Sequence, residues 1–396
     1  MLERSRVPMW GETHVQRFTV TYDFPVAFTR DAFDPGNPTL VDALRRREPA
    51  KRHRVAVFVD DGVLRAAPDL RRRIARYAAV HGRSISLEGD IVEVPGGERA
   101  KTDATVLELL LAHLAERRID RHSYAVAIGG GAVLDAVGYA AASFHRGVRH
   151  IRLPSTVLAQ ADSGVGVKSG VNAFGLKNLV GAFAPPFAVV NDGAFVDILP
   201  AREKRGGMAE AVKVALIRDA AFFDWIEAHA DALAVFDAHT LDRLIERSAV
   251  LHMRQIVHGG DPFETGSARP LDFGHWAAHK LEVLTGHRIS HGEAVAIGVA
   301  LDTRYSVLAG VLSAGEDERV HRVLSRLGFD LWCDALHSRD ENGGLAVAAG
   351  LREFQEHLGG ELTVTLVEAV GTGVEVHQID HELIAQAIAW LADRHR

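Results

Sequence analysis

Short apolar, β-branched runs alternate with longer amphipathic stretches through the first half of the chain. Residues 69–81 and 103–118 place apolar side chains at helical spacing and predict helices. An earlier stretch, 16–28, is rich in Val, Phe, Thr and Tyr and predicts a hairpin at a sheet edge. The alternation is typical of βαβ units with a mostly parallel sheet. Strands are predicted at Val55–Val59, Ser84–Leu87, Tyr124–Ile128, His150–Leu153 and Phe187–Val190.

The pattern changes after Pro200 to long helical periods with few strand signals. One short β-like run comes late, at residues 361–366. We therefore expect an α/β domain of nucleotide-binding type over residues 1–198, with a mostly parallel sheet, and a mainly α-helical domain over 199–396. Helices of the second domain are predicted at 206–217, 222–236, 240–257, 275–284 and 293–308.

The composition is that of an ordinary globular protein, with 396 residues, of which 47% are apolar and 24% charged. A net charge of −7 argues against nucleic acid as a partner, since a phosphate backbone needs a basic face. No uncharged apolar stretch has the length of a membrane span. The single Cys333, and an N-terminus without the apolar core of a signal peptide, predict a cytoplasmic protein.

The most informative segment is the glycine-rich run from Leu158 to Asn178. It carries Asp162, Lys168 and Lys177 among four glycines, which allow the backbone to approach a ligand closely. Two ammonium groups in such a stretch suit a phosphorylated polyol better than they suit a protein core. The alternative is a surface loop with solvated lysines.

A glycine turn of the cofactor-binding type follows one of the predicted strands. Gly129–Gly131 opens a helix that carries Asp135, so that backbone N–H groups and the helix dipole can face an anion. Asp60 ends the first long strand, where a carboxylate can hold ribose hydroxyls or cap the next helix. Glu98 and Lys101 beside a Gly-Gly turn can contact a nucleotide or each other. Together these features favour NAD over a turn without a ligand.

Carboxylate and imidazole side chains in the second half have the spacing of a metal site. Glu210 and Lys213 lie one helical turn apart, and His275 and His279 repeat that spacing. His291 begins a further predicted helix. One carboxylate and two imidazoles with an open fourth position are what a catalytic Zn²⁺ site requires. Each histidine taken singly also fits a surface or core position.

Read together, these segments resemble the sugar phosphate cyclases, typified by 3-dehydroquinate synthase. The resemblance covers residues 50–375 and is most specific at 158–185, 206–213 and 272–293. It implies an NAD-binding α/β domain, a helical metal-binding domain and a substrate cleft between them. It also implies that Glu210, His275 and His291 bind Zn²⁺ or Co²⁺.

The resemblance assigns further roles position by position. It implies catalytic roles for Asp162, Lys168, Lys213, Arg254, Asp272 and His279. The implied substrate-binding residues are Arg146, Lys168, Lys177, Asn178, Arg254, Arg269 and His279. The implied cofactor-binding residues are Asp60, Glu98, Lys101, Gly130, Gly131, Asp135, Ser155, Thr156 and Lys177. Arg146 matches an arginine that reaches the phosphate of a neighbouring subunit, which implies a homodimer.

Several positions depart from the family pattern on the side that would bind a substrate carboxylate. Arg254 stands in place of a lysine, and an arginine position holds Ala268, with Arg269 following it. Asp272 replaces an asparagine, and an acidic group there would repel a carboxylate. That favours a neutral sugar phosphate such as sedoheptulose 7-phosphate. Arg254 and the retained His279 favour a ketoacid phosphate instead.

Three functions therefore stay open. The first is a carbon–oxygen lyase of 3-dehydroquinate synthase type, which oxidises a seven-carbon ketoacid phosphate transiently, eliminates phosphate and closes a carbocycle. The second is the same chemistry on sedoheptulose 7-phosphate, giving a valiolone-like cyclitol. The third is an NAD-dependent metal alcohol dehydrogenase, which the set Lys168, Lys177 and Lys213 disfavours because a simple alcohol needs no phosphate cradle.

Overall fold

A seven-stranded parallel sheet organises the first half of the described chain. The computed structural model describes residues 13–174, 176–263, 271–358 and 361–395. The strands of the sheet lie in the order β1-β9-β6-β5-β2-β3, with β4 also paired to β2. The strands are β1 (Val26–Thr29), β2 (His53–Asp60), β3 (Ile85–Leu87), β4 (Val92–Val94), β5 (Tyr124–Gly129), β6 (Arg149–Pro154), β7 (Lys168–Ala173), β8 (Leu176–Phe183), β9 (Ala188–Asp192), β10 (Val364–Ala369) and β11 (Thr372–Val376).

The hairpin predicted over residues 16–28 is wrong. Within that stretch only β1 forms, and it pairs parallel to β9 at the edge of the sheet, with Val26 opposite Val189. Pro25 precedes β1 and has no N–H to donate to a hairpin partner, whereas its carbonyl accepts from Val189. The edge position was therefore predicted correctly, and the pairing was not.

Helices cover both faces of the sheet. One face packs against α1 and α3, and the other packs against α5 and α6, with a separate apolar core on each side. The helices predicted at 69–81 and 103–118 are confirmed as α3 and α5. The helices of this half are α1 (Thr39–Arg45), α2 (Asp61–Ala66), α3 (Leu70–Val80), α4 (Arg99–Thr102), α5 (Ala104–Glu116), α6 (Gly131–Ser143), α7 (Val157–Ala161) and α8 (Gly193–Asp197).

The second half is mainly helical, as predicted, and has its own large core. Its two strands among the described residues form the antiparallel pair β10–β11, which confirms the late strand predicted at residues 361–366. No helix in the described ranges is both long enough and apolar enough to cross a bilayer. The helices are α9 (Ala201–Arg218), α10 (Ala220–Ala234), α11 (Ala238–His258), α12 (His275–Leu284), α13 (His291–Leu308), α14 (Glu316–Arg326), α15 (Ala349–Leu358) and α16 (His381–His395).

The second part of the glycine-rich run, from Lys168, forms with the residues that follow it an antiparallel hairpin, β7–β8, which the sequence pattern did not predict. Gly170 and Gly181 face each other in this hairpin, and a Cβ on Gly170 would lie 2.9 Å from the Val180 carbonyl oxygen. Its glycines therefore serve close strand pairing as well as any ligand.

The carboxyl ends of three central strands form one edge of the sheet. Asp60 at the end of β2, Gly129 at the end of β5 and Pro154 at the end of β6 stand side by side in register. The chain proceeds from β2 outward to β3 and β4, then returns to place β5 on the other side of β2. Such a reversal leaves a crevice at the carboxyl edge of a parallel sheet, where ligands bind.

Candidate functional site

Three helices of the second half bring one carboxylate and two imidazoles to a single point. Glu210 Oε1 on α9 lies 3.5 Å from His275 Nε2 on α12 and 3.4 Å from His291 Nε2 on α13. Glu210 and His275 are buried, and His291 is partly buried. The structure therefore brings together all three residues that the resemblance implied as metal ligands.

The donor geometry fits a divalent metal. Zinc bound to imidazole nitrogen and carboxylate oxygen has bonds of about 2.0–2.2 Å, so tetrahedral coordination separates neighbouring donors by about 3.4 Å. The measured separations of 3.4 and 3.5 Å match that value. They are long for hydrogen bonds. The donor set of one oxygen and two nitrogens suits Zn²⁺ or Co²⁺.

His291 lies between two carboxylates. Its Nε2 faces Glu210, and its Nδ1 is 2.8 Å from Glu282 Oε1. Burial by itself would lower the pKa of His291, but the two carboxylates outweigh it and raise that pKa to about 10. The raised pKa shows that the two carboxylates make this site strongly negative. A bound metal ion would supply the positive charge that balances it.

Glu282 also connects this centre to the β7–β8 hairpin. Lys177 Nζ on β8 donates to Glu282 Oε2 at 2.9 Å. Burial opposes ionisation of Glu282, yet His291 and Lys177 lower its pKa to about 2. The carboxylate therefore stays ionised and fixes the ring of His291, as carboxylates behind metal-binding histidines do.

A second group of charges stands beside Glu210. Lys213 Nζ is 2.5 Å from Glu210 Oε2 and 3.6 Å from Asp162 Oδ2. Burial would lower the pKa of Lys213, but Glu210 and Asp162, with a smaller effect of Asp272, raise it. Lys213 is thus a buried cation between two carboxylates. On the other side, Asp162 Oδ1 lies 3.2 Å from His252 Nδ1 of α11.

A fully buried arginine of the parallel sheet binds the loop that carries Asp162 and Lys168. Arg152 on β6 donates to the carbonyl oxygens of Gly164 (3.2 Å), Gly166 (2.8 Å) and Lys168 (3.0 Å), and to Ser169 Oγ (2.9 Å). Burial lowers the pKa of Arg152 to about 10, which leaves it charged at neutral pH. The loop is therefore fixed by one side chain through three hydrogen bonds to its backbone carbonyls and one to the Ser169 hydroxyl.

The glycine turn lies at the carboxyl edge of the sheet, as predicted. Gly130 is the N-cap of α6 and has no side chain to occupy the N–H groups of the first turn. Ser155 and Thr156 follow the adjacent strand β6, and a Cβ on Gly130 would lie 3.4 Å from Thr156 Cγ2. Free N–H groups at a helix N-terminus beside small side chains suit a dinucleotide pyrophosphate.

Asp60 caps a helix, which was one of its two sequence interpretations. Its Oδ1 accepts from Gly62 N at 2.7 Å and Val63 N at 3.4 Å. Burial raises the pKa of Asp60, although these backbone donors oppose the shift. A Cβ on Gly96 would lie 3.0 Å from the second oxygen, Oδ2. The ribose role of Asp60 stays a prediction.

A polar network joins the predicted cofactor residues to the hairpin. Lys101 Nζ donates to Asp135 Oδ2 at 2.7 Å and also to Asn178 Oδ1. Asn178 has a positive φ of 55°, and Glu98 accepts from Asn172 at 2.9 Å. The observed partners of Glu98 and Lys101 are therefore on α6 and the hairpin. Three predicted cofactor residues, Glu98, Lys101 and Asp135, are thus connected to the predicted substrate residue Asn178 through the hairpin.

Some predicted residues lie apart from this cluster. Arg146 is exposed between α6 and β6, at the edge of the sheet opposite to the glycine turn. Arg254 is exposed on α11, and its position two residues after His252 turns it about 200° away from Asp162. Arg269 lies outside the described residues. Asp272 and His279 lie near the metal-type centre. Asp272 contributes to the raised pKa of Lys213, and the ring centroid of His279 stacks 5.8 Å from that of His291.

Sequence reasoning missed four residues that support the site. Glu282 follows His279 by one helical turn, and Arg152 interrupts an apolar strand, so both carried a visible signal. His252 carried none, because nothing in its local sequence separates it from the other histidines of the chain. Asp302 on α13 accepts from Gly274 N at 3.1 Å, next to the start of α12 at His275. It was missed because it lies within a regular helical pattern.

The fold and the site define a two-domain protein in which a nucleotide-type sheet edge faces a carboxylate–imidazole centre. Family comparisons agree with that class. A family model described as 3-dehydroquinate synthase N-terminal matches residues 91–206, and one described as 3-dehydroquinate synthase C-terminal matches residues 207–347. The chain belongs to this family of sugar phosphate cyclases.

Two curated relatives have different names within the family. A 2-epi-5-epi-valiolone synthase of Streptomyces glaucescens is 35% identical over 358 residues, covering 90% of this chain and 87% of that protein. A 3-dehydroquinate synthase of Halorhodospira halophila is 36% identical over 349 residues, covering 84% of this chain and 95% of that protein. Identity alone therefore does not choose between the two activities.

Solved structures share the whole architecture. The 2-epi-5-epi-valiolone synthase ValA of Streptomyces hygroscopicus subsp. jinggangensis, solved with NAD⁺ and Zn²⁺ bound, superposes with a TM-score of 0.83 at 27% identity. That match covers 96% of this chain and all of the other. A 2-deoxy-scyllo-inosose synthase, solved with carbaglucose-6-phosphate, NAD⁺ and Co²⁺, has a TM-score of 0.74 at 24% identity, covering 92% of this chain and 96% of that one, and shows the common fold.

Proposed function

We propose that this chain is an NAD- and metal-dependent cyclase that converts sedoheptulose 7-phosphate to a valiolone-type carbocycle with loss of phosphate. The observation that carries the proposal is the cluster in which Asp162 and Lys213 stand beside Glu210, His275 and His291. It combines a donor set for a metal with charged groups for a polyol phosphate. The carbon–oxygen bond to phosphate breaks and a carbon–carbon bond forms, which is lyase chemistry without net oxidation.

Glu210, His275 and His291 would hold the metal, and the residues around the glycine turn would hold the nucleotide. When bound, the metal ion would supply a Lewis acid for a substrate hydroxyl, and the nucleotide would supply a reversible hydride acceptor. The protein's own contribution is mainly positioning, since the leaving phosphate can serve as a base.

The cationic side chains would bind the phosphate. Lys168 starts β7 and Lys177 lies on β8, so the hairpin would supply two of the ammonium groups. Lys213 presents a third ammonium group from α9. Asn178 adds an amide beside Lys177. Charge-assisted hydrogen bonds from these groups would hold the phosphate over the carbon from which it leaves.

The preference for a neutral sugar phosphate rests on Asp272. Its carboxylate is close enough to Lys213 to contribute to the raised pKa of that lysine, although Glu210 and Asp162 contribute more. A substrate carboxylate in the same place would meet like charge, whereas sugar hydroxyls could donate to Asp272. The valiolone synthase relative at 35% identity and the ValA structure support this choice.

A second candidate is the 3-dehydroquinate synthase reaction on a seven-carbon ketoacid phosphate. Arg254 could grip a carboxylate bidentately if the substrate reached its exposed position on α11. The relative at 36% identity carries that name. We rank this candidate second because Arg254 faces away from Asp162.

The deciding experiment incubates purified protein with NAD⁺, Zn²⁺ and each of the two phosphates, measuring phosphate release, NADH and the mass of the carbocycle. We expect phosphate release from sedoheptulose 7-phosphate without net NADH, and a loss of orders of magnitude in the Lys213→Ala variant. Asp272→Asn should raise the relative rate on the ketoacid phosphate, and Arg254→Ala should lower that rate alone. Steady NADH formation on simple alcohols would instead identify a dehydrogenase and contradict the proposal.

We also propose a homodimer. Arg146 is exposed, and α6 separates it from the glycine turn by the length of a 13-residue helix, about 20 Å. It could therefore contact a substrate phosphate only in a neighbouring subunit. Sedimentation of the protein and an Arg146→Ala variant, assayed for KM of the phosphate, test this arrangement.

A further inference from the structure

His252 on α11 contacts Asp162 of the proposed active site, although α11 carries none of the three metal-type donors. Its Nδ1 lies 3.2 Å from Asp162 Oδ1, and only 17% of its side chain is exposed. The opposite nitrogen faces Gly166, where a Cβ would lie 3.7 Å from Nε2, so no side chain intervenes between the imidazole and the loop. Nothing in the resemblance to sugar phosphate cyclases assigned a role to this position.

The helix that presents His252 is firmly placed. Ala249 and Met253 pack against Val165 of the loop and Val189 of β9, forming a small apolar cluster. Because Ala249 precedes His252 by nearly one turn and Met253 follows it directly, this packing fixes the imidazole beside Asp162. The contact between His252 and Asp162 therefore lies where α11 of the second half packs against the first half.

The carboxylate of Asp162 has a different neighbour at each oxygen. Oδ1 faces His252, and Oδ2 is 3.6 Å from Lys213 Nζ, which is farther than an ordinary charge-assisted hydrogen bond. Loss of the donor at Oδ1 would allow the carboxylate to rotate toward Lys213 and close that gap. Lys213 would then be withdrawn from a substrate phosphate or hydroxyl.

We propose that His252 is a positioning residue for the cyclase reaction: it donates Nδ1–H to Asp162 and holds that carboxylate away from a closed ion pair with Lys213. The inference rests on the proposed function, in which Asp162 and Lys213 contact the substrate. It requires a proton on Nδ1 of the imidazole, with Nε2 directed toward Gly166.

Two matched variants test the role. In His252→Asn the side-chain amide nitrogen falls near the position of Nδ1 and can still donate to Asp162. In His252→Gln the longer side chain puts its amide nearer to the position of Nε2. We expect kcat to fall at least tenfold in His252→Gln and to stay within about threefold of the wild type in His252→Asn, since a hydrogen bond to a charged group is at stake. KM for NAD⁺ and the melting temperature should change little in both.

The step affected can be measured separately with a phosphonate analogue of sedoheptulose 7-phosphate, in which carbon replaces the ester oxygen, so that the phosphonate cannot leave. Bound NADH formed from this analogue should appear more slowly in His252→Gln than in His252→Asn. Equal losses in both variants, or no loss in either, would overturn the positioning role.

A spectroscopic measurement keeps this inference separate from the proposed function. Nitrogen NMR of the holoenzyme should show a proton on Nδ1 of His252, identified as the signal that is missing in His252→Asn. If the wild type turned over neither phosphate, the proposed function would be wrong. The NMR signal of the Nδ1 proton would still show whether His252 donates to Asp162. A deprotonated Nδ1 would overturn the inference even in an active enzyme.

Discussion

Gly292 lies against Gly206 so closely that a Cβ on Gly292 would be 2.2 Å from the Gly206 carbonyl oxygen. This contact joins the start of α13, next to His291, to α9 one turn before Glu210. Two of the three metal-type donors therefore meet because two helix backbones touch without side chains between them.

A second glycine contact places the third donor. Gly274, with φ of +77°, is the N-cap of α12 immediately before His275, and a Cβ on Gly298 would lie 2.1 Å from its carbonyl oxygen. The helix α12 is thus seated on α13 at the residue that precedes the imidazole. The convergence of Glu210 and the two histidines depends on these backbone contacts.

We expect Gly292→Ala to lower the affinity for Zn²⁺ at least tenfold, because the added methyl group must push α13 away from α9. Gly206→Ala is the matched control, since a Cβ there would meet only the Gly292 Cα at 3.8 Å, an ordinary contact. Competition for zinc with a chromophoric chelator measures both. Equal affinity in the two variants would show that the contact does not set the donor geometry.

Glu282→Gln should weaken zinc binding by about 10- to 100-fold, because His291 loses the carboxylate that orients its ring. Glu353→Gln serves as a control, since Glu353 is a half-exposed carboxylate on α15 that pairs with Lys280, a neighbour of Glu282 on α12. Zinc release into excess chelator, followed over time, gives the readout. An unchanged release rate in Glu282→Gln would mean that the carboxylate does not support the centre.

Arg152→Met should lower the free energy of unfolding by about 3 kcal/mol, because three loop carbonyls lose their buried donor. KM for the phosphate substrate should also rise, since the loop carries Asp162 and Lys168. Arg149→Met, at the start of the same strand, removes an ion pair with Glu48 and a hydrogen bond to the Tyr124 hydroxyl and should cost less, about 1–2 kcal/mol. Urea unfolding of both variants makes the comparison, and similar losses would speak against a special role of Arg152.

Asp302 should make stability depend on pH. Burial raises its pKa to about 7, although the Trp276 indole and the Gly274 N–H oppose the shift. Between about pH 4 and pH 7 the folded protein therefore binds a proton that the unfolded chain has lost, so stability decreases as the pH rises through this window. The slope is at most about 1.4 kcal/mol per pH unit.

The variant Asp302→Asn mimics the neutral carboxyl group and keeps an acceptor for Trp276. Its stability relative to the wild type should therefore increase from pH 5 to pH 7 and level off above that. Denaturant unfolding at several pH values measures the difference. A constant difference over this range would contradict a proton on Asp302.

Part of the site was predictable from local sequence. Gly130 had to lie at the start of a helix after a parallel strand, and the carboxyl edge of such a sheet is where ligands bind. Glu210 and Lys213 had to share a helix face because they are three residues apart. The β7–β8 hairpin was not predictable, because its glycines interrupt the alternation of apolar and polar positions that marks a strand.

The sequence by itself determined the central strands of the parallel sheet and the long helices, the change from an α/β half to a helical half, and the residue types available for a metal and a phosphate. Those properties follow from local periodicity and side-chain chemistry. Only the tertiary structure decided that His252 meets Asp162, that Glu282 meets His291, and that Arg152 holds the loop. Such pairs join residues far apart in the chain, and their distances depend on how closely helix backbones pack at particular glycines.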